Sequence, residues 1–297
     1  MTKSDLKIKL AEWEKELKLN ELAKKTIVSY IGDVQKFLDF IPSDNDEITK
    51  DLLINYKASL DTVEIKRKKG NREIIQTGKK EASKNRNLIS INKFLSFCDM
   101  EDFKLKGIKQ QGKTTLNNLL TVKEFQGIVR QAEEQKEWDI YWAIKTLALT
   151  GVRYSELKFV TVEACKAKRL KIDNKGKVRD FEFNEKLAKD LLAWAKSKGI
   201  TSGMIFVTKN GTFIKNEQFS RKLKKVAGKA HFVNMKKIHP HAFRHLFALT
   251  YLETTNNIAD VANRLGHSSL NTTRIYLQTT PQQQRQYNKE MENKLGI

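Results

Sequence analysis

Apolar residues that recur every three or four positions run through most of this chain, and that spacing asks for α-helices that bury one face. Leu6, Leu10, Trp13 and Leu17 line one side of a first helix, and Ile27, Tyr30, Ile31, Val34, Phe37, Leu38 and Ile41 line a second. A third is expected from Ile48 to Leu60, capped by Asp44 or Asp46, and a fourth from Asn87 to Cys98, with Leu88, Ile91, Phe94 and Leu95 on its inner side. The first hundred or so residues therefore predict a small four-helix domain. The helical pattern breaks once within it. Val63, Ile65, Ile74 and Ile75 flank Lys66-Arg67-Lys68-Lys69-Gly70-Asn71-Arg72, and β-branched residues on both sides of a Gly-Asn turn predict a short hairpin.

The segment from Phe103 to Thr115 is polar, basic and glycine-containing, the texture of a linker. Beyond it Thr121 and Glu124 have capping-box spacing. Trp138 to Leu149 reads as a buried helix that stops at Thr150-Gly151, after which Arg153 stands just before a new helix capped by Ser155. A guanidinium beside a positive helix end suits an oxyanion, although a surface pair with Glu156 is the plainer use of the same residue. Leu170 to Phe183 predicts a second hairpin with Lys175 and Lys177 at its basic tip. Glu185 to Lys198 reads as a helix, Met204 to Thr208 as a short strand, and Phe219 to Ala230 as a basic helix.

Charge narrows the list of partners. The 297 residues carry 56 Lys and Arg against 35 Asp and Glu, a formal charge of +21, which favours a polyanion: nucleic acid first, an anionic membrane surface second. From Lys66 to Lys93 there are ten Lys or Arg against two acids. Lys66, Arg67, Lys68, Lys69, Arg72, Lys79, Lys80, Lys84 and Arg86 are the residues expected to follow a phosphate backbone. No apolar run reaches the roughly 18 residues a membrane helix needs, and the first 17 residues form a charged amphipathic helix without the apolar centre of a signal peptide. A soluble cytoplasmic protein without a membrane partner is expected. Cys98 and Cys165 are too few and too far apart for a disulfide framework or a thiolate metal site.

All five histidines, His231, His239, His241, His245 and His267, fall between residues 231 and 267. His241 and His245 have the spacing of a zinc-binding pair, but no glutamate lies between them and Arg244 would set a positive charge against the metal, so no metal is expected. His241 and Arg244, three apart, share a helix face and can grip one phosphate together. Near the end, Ile258, Val261, Ala262 and Leu265 lead to Gly266, a helix stop, and Ser268 or Ser269 can cap the next helix. Two short helices thus meet at His267, with Tyr276 on the second.

Taken in order, Thr-Gly-Val-Arg153-Tyr-Ser-Glu-Leu, the hairpin tip at Lys175, His241-Ala-Phe-Arg244-His and Leu-Gly-His267 followed by Tyr276 resemble the catalytic set of the tyrosine recombinases, the phage-integrase family. Val152, Leu246 and Phe181-Glu-Phe183 depart from its usual residues without removing a catalytic group. The resemblance covers nearly the whole chain. It implies a mainly α fold, with a SAM-like helical core-binding domain at 1–106, a linker at 107–117, and at 118–297 an α-rich catalytic domain with a small β-hairpin and a tail helix at 281–297.

It also implies a site-specific DNA recombinase of mobile-element or Xer type that needs no cofactor. Tyr276 would attack a phosphodiester to give a 3′-phosphotyrosyl link, Arg153 and Arg244 would hold the developing charge, and His267 and His241 would bind the phosphate or move a proton. Lys175 would protonate the leaving oxygen, with Lys177 as the other candidate. Implied partners are double-stranded DNA with inverted-repeat core sites and three further copies of the chain, joined through the tail helix and passing through a Holliday junction. A type IB topoisomerase-like enzyme and a non-catalytic DNA-binding regulator are the alternatives.

Overall fold

In the computed structural model every residue is described except 45, 70–71, 110–118, 175–176, 231–232, 268, 278–280 and 297, and for 66–69, 72–74, 174, 177, 281–284 and 286–287 the backbone alone is described. The chain divides into two compact units, Met1–Gly112 and Lys113–Ile297.

The first unit is built from α1 (Lys3–Leu19), α2 (Lys24–Phe40), α3 (Lys50–Ser59), the hairpin strands β1 (Glu64–Lys69) and β2 (Arg72–Thr77), and α4 (Glu81–Phe97). Thr2 and Asp5 form a capping box at the start of α1, and its buried residues are the predicted stripe Leu6, Leu10, Trp13 and Leu17. These pack with Phe37, Leu38, Leu53, Leu88, Ile91 and Phe94 in one core. Neither aspartate expected to cap α3 does so. Thr49, nearer the helix, accepts from the Leu52 amide, while Asp44 is held by Lys7 and Lys3 and Asp46 receives the Ser43 amide. The hairpin is antiparallel, with Glu64 opposite Thr77 and Lys69 opposite Arg72. α4 starts six residues before the expected Asn87, because its first turn is exposed or half-exposed and Glu81, Ser83 and Lys84 give no apolar signal.

The second unit holds α5 (Val122–Glu134), α6 (Trp138–Thr150), α7 (Val162–Lys166), the hairpin strands β3 (Arg169–Asn174) and β4 (Lys177–Glu182), α8 (Glu185–Ser197), α9 (Asn216–Ala227), α10 (Pro240–Thr255), α11 (Ile258–Leu265), α12 (Leu270–Thr273) and α13 (Pro281–Leu295). Its core joins Ile128, Ile144, Leu147, Leu157, Leu170, Leu191, Phe219 and Phe243. A smaller cluster gathers Phe247, Ala248, Val261, Leu265 and Tyr276, so α10, α11 and the turn after α12 enclose the tyrosine.

Three details of this unit differ from expectation. After Gly151 the chain forms a 3-10 turn, Tyr154–Phe159, capped by Arg153 itself: the Glu156 carboxylate folds back to accept the Arg153 amide, and Ser155 stays exposed. Met204 to Thr208 is no strand; it makes only single bridges, Thr161 to Met204 and Val207 to Phe213. Tyr276 lies in a 3-10 turn, Arg274–Leu277, that follows the four-residue α12.

Candidate active site

Two glycines build the floor of the site. α6 ends at Gly151 with φ 67° and α11 at Gly266 with φ 64°, left-handed values that a residue with a Cβ adopts only under strain. Space forbids a side chain at either as well. A Cβ on Gly151 would fall 2.3 Å from Phe247 Cδ1, and one on Gly266 would fall 2.3 Å from Arg179 Cδ.

Arg244, on α10, spans the two helix ends. Its Nη1 donates to the Gly151 carbonyl at 2.6 Å and its Nη2 to the Leu265 carbonyl, so a cation meets the negative ends of α6 and α11. The side chain is 1 % exposed, yet its Nε has no partner among the described residues. Burial first, then the Arg153 cation, brings its pKa down to about 10, still far above neutrality. A buried guanidinium with an unused donor is costly unless an anion completes it.

Arg153 lies close to Arg244 and is partly exposed. Its Nη1 donates to Glu156 Oε1 at 2.8 Å, while its Nη2 comes only to 3.5 Å of the Gly266 carbonyl. The plainer reading of this arginine, a pair with Glu156, is therefore present, but Glu156 is 1 % exposed and serves as an anchor rather than a surface partner. Burial raises the Glu156 pKa, and the Arg153 amide, Arg153 and Arg179 more than reverse that, leaving it below the usual carboxylate range. Arg179, on β4, places Nη2 2.6 Å from Glu156 Oε2 and donates from Nη1 to the Arg264 carbonyl at 2.8 Å. It thereby ties the second hairpin to the turn that carries His267. In the sequence it is one basic residue in a strand, and only its place in the fold marks it.

The histidines divide by partner. His267 Nδ1 is 2.8 Å from the hydroxyl of Thr273, which is fully buried, and burial followed by Arg244 and Arg153 lowers the His267 pKa to about 4. His241 stands exposed in the first turn of α10; partial desolvation, then Arg244, lowers its pKa. His245, one turn on, meets the His241 ring edge to face at 4.8 Å and places Nδ1 2.8 Å from the Tyr276 hydroxyl. Loss of solvent, then His241, His239, Arg244 and His267, takes His245 down to about 4, so both deeper histidines are neutral at pH 7. His245 is a site residue that the sequence offered only as half of a discounted metal pair. His239 occupies the N-cap position of α10 without a side-chain capping bond, and His231 lies outside the described residues.

Tyr276 is 4 % exposed, and burial raises its pKa, with Arg244 acting the other way. Tyr251 is committed elsewhere, donating to Asp260 at 2.8 Å. The fold thus brings Arg153, His241, Arg244 and His267 into one charged cluster close to Tyr276. Lys175 lies outside the described residues and the Lys177 side chain with it. Among the described residues no three His, Cys, Asp or Glu side chains converge as metal ligands, and no helix is long and apolar enough to cross a membrane.

Of the basic residues of the first unit, Lys66, Arg67, Lys68, Lys69 and Arg72 have side chains outside the description. Lys84 is paired with Asp61 and is 12 % exposed, so it is not a free cation. Arg86 is exposed with Nη2 3.7 Å from the buried Asp33, and Lys80 is exposed. Lys79 is half-buried, its pKa lowered by desolvation and then by Lys36, against an opposing pull from Asp33.

Two permanent cations, neutral imidazoles and one buried phenol around an unfilled donor suit attack by a tyrosine oxygen on a phosphodiester. Residues 118–283 match the phage integrase family. The chain belongs to that family, and its activity class is that of a tyrosine-type site-specific recombinase. It is 26 % identical over 281 residues to a tyrosine recombinase of Pseudothermotoga lettingae, spanning 89 % of this chain and 91 % of that one. Its fold resembles XerH site-specific recombinase bound to palindromic difH substrate in a post-cleavage complex, with TM-score 0.66, 18 % identity, and 90 % and 80 % of the two chains covered. It also resembles a lambda integrase tetramer bound to a Holliday junction, with TM-score 0.66, 17 % identity, and 91 % and 76 % covered.

Proposed function

We propose that the protein cuts and rejoins double-stranded DNA at a pair of inverted core sites and exchanges strands through a Holliday junction, serving integration and excision of a mobile element or resolution of a replicon. One observation carries the reading: the buried Arg244, anchored on two helix ends with its Nε unpaired, beside Arg153 and close to a tyrosine that has no surface role. The scissile phosphate accepts a hydrogen bond from that Nε. Tyr276 attacks phosphorus, the non-bridging oxygens take hydrogen bonds from Arg153, Arg244, His241 and His267, and a hairpin lysine, Lys175 by the family's pattern, protonates the leaving 5′-oxygen. The phosphotyrosyl link keeps the bond energy, and a 5′-hydroxyl from the partner strand reverses the attack without a cofactor.

The first unit, with Lys79, Lys80 and Arg86 and the β1–β2 hairpin, serves as the core-binding domain and tracks phosphates. The working unit is a homotetramer on DNA within the cytoplasm, at the nucleoid. What supports this is the tetrameric lambda integrase relative and the tail: on α13 Met291 is 58 % and Leu295 66 % exposed, an apolar edge that a neighbouring subunit can cover. An intermolecular assay with two core-site DNAs tests the reading. Recombinant products that depend on Tyr276 are expected; relaxation of supercoils without exchange would leave a topoisomerase-like enzyme, and binding without any cleavage a regulator.

A further inference from the structure

A nucleophilic tyrosine must lose its proton, and the fold offers that proton one destination. Among the described residues the only hydrogen-bond partner of the Tyr276 hydroxyl is His245 Nδ1, at 2.8 Å. The two rings are tilted by 57° with centroids 5.6 Å apart, and the His241 ring meets His245 edge to face at 4.8 Å. The other deep imidazole is engaged elsewhere, its Nδ1 on Thr273. Consecutive residues of α10, about 100° apart around the helix, therefore present two groups to the reaction, Arg244 towards the helix ends and His245 towards the phenol.

We propose that His245 is a catalytic residue, the base that takes the Tyr276 proton as the phenol oxygen attacks; this rests on Tyr276 being the nucleophile. The Oη–H bond breaks and the proton moves to Nδ1, the Oη–P bond forms, the P–O5′ bond breaks, and the leaving oxygen takes a proton from the hairpin acid. In the return step the P–Oη bond breaks and Nδ1 gives its proton back to the phenol oxygen. The free protein is prepared for this role. Desolvation, then His241, His239, Arg244 and His267, hold His245 neutral at pH 7, so its lone pair is available to accept. A phosphate arriving beside Arg244 brings a negative charge into that cluster, which raises the basicity of His245 when substrate is bound and not before.

The test compares the wild type, His245→Ala, His245→Asn and Tyr276→Phe in single-turnover cleavage of a nicked suicide DNA from about pH 6.5 to about pH 9.5. The asparagine can accept the hydrogen bond and hold the ring but cannot take the proton, which separates base catalysis from positioning. Both His245 variants are expected to bind DNA normally and to cleave about 10²–10⁴-fold more slowly near neutral pH. Their deficit should shrink by about tenfold for each pH unit, as hydroxide supplies the phenolate that the base no longer makes. A 5′-bridging sulfur in the substrate, which removes the need for the acid, should not restore them. Wild-type cleavage by His245→Asn, faster cleavage by either variant, or an equal deficit at every pH would overturn the proposal while leaving the nucleophile in place. An adduct formed by Tyr276→Phe would instead overturn the reading on which it rests.

Discussion

Arg244 does two jobs whose costs separate. Its two Nη donors hold the ends of α6 and α11, and its Nε, unpaired among the described residues, is the donor proposed for the phosphate. A lysine keeps the charge but cannot reach both carbonyls and a phosphate with one compact ammonium. Arg244→Lys is therefore expected to lose about 1–3 kcal/mol in urea unfolding and to cleave about 10²–10³-fold more slowly, with the folded variant still binding DNA. The histidines predict a pH dependence of stability. His245 and His267 have folded pKa values lowered to about 4 from 6.5, so the unfolded chain takes up their protons first as pH falls. Their contribution is complete above about pH 6.5 and is lost between there and about pH 4, and His245→Asn should flatten the fall of the urea midpoint in that window. The sequence made Arg153, Arg244, His267 and Tyr276 legible because each stands in a motif of fixed spacing. Glu156, Arg179 and Thr273 were not legible as site residues, since Arg179 meets Glu156 and the Arg264 carbonyl only across long stretches of chain, and Glu156 and Thr273 act through burial, which spacing does not encode.

At the scale of elements, the turn at Gly266 couples the second hairpin to His267. Gly266→Ala forces a left-handed residue and drives the Arg179 stem from its place, so Arg179 must leave Glu156 or the Arg264 carbonyl. Left-handed strain alone costs about 1–2 kcal/mol, and cleavage should fall together with thermal stability. A variant with unchanged melting temperature and rate would show that the hairpin and the His267 turn are independent. The helices themselves were readable from their apolar stripes, down to the four inward residues of α1. Ends were less so. Thr49 outcompetes Asp44 and Asp46 as a cap because the aspartates are taken by Lys7, Lys3 and Ser43, a competition visible only in space. The turn after Arg153 is capped by Glu156 folding back, where Ser155 was the residue with the better local propensity.

For the whole molecule, the formal charge of +21 makes DNA affinity salt-dependent, and residue placement decides which cations count. Lys84 is spent on Asp61, whereas Arg86 and Lys80 are exposed. Neutralising Lys80 and Arg86 should weaken binding and reduce the slope of log affinity against log salt by up to about 0.9 per lost phosphate contact, while Lys84→Gln should change stability more than slope. Removing residues 283–297 takes away most of α13 with Met291 and Leu295; single half-site binding should persist, and cooperative assembly and strand exchange should be lost. Trypsin cleaves after Arg274 and Arg285, so Tyr276 falls in a peptide that contains no other tyrosine, while Tyr251 and Tyr287 fall in different peptides. The decisive measurement is mass mapping of the covalent adduct trapped on a nicked core-site DNA. The nucleotide is expected on the Ile275–Arg285 peptide of the wild type and on no peptide of Tyr276→Phe, and a nucleotide on the peptide of Tyr251 or Tyr287 would contradict the account.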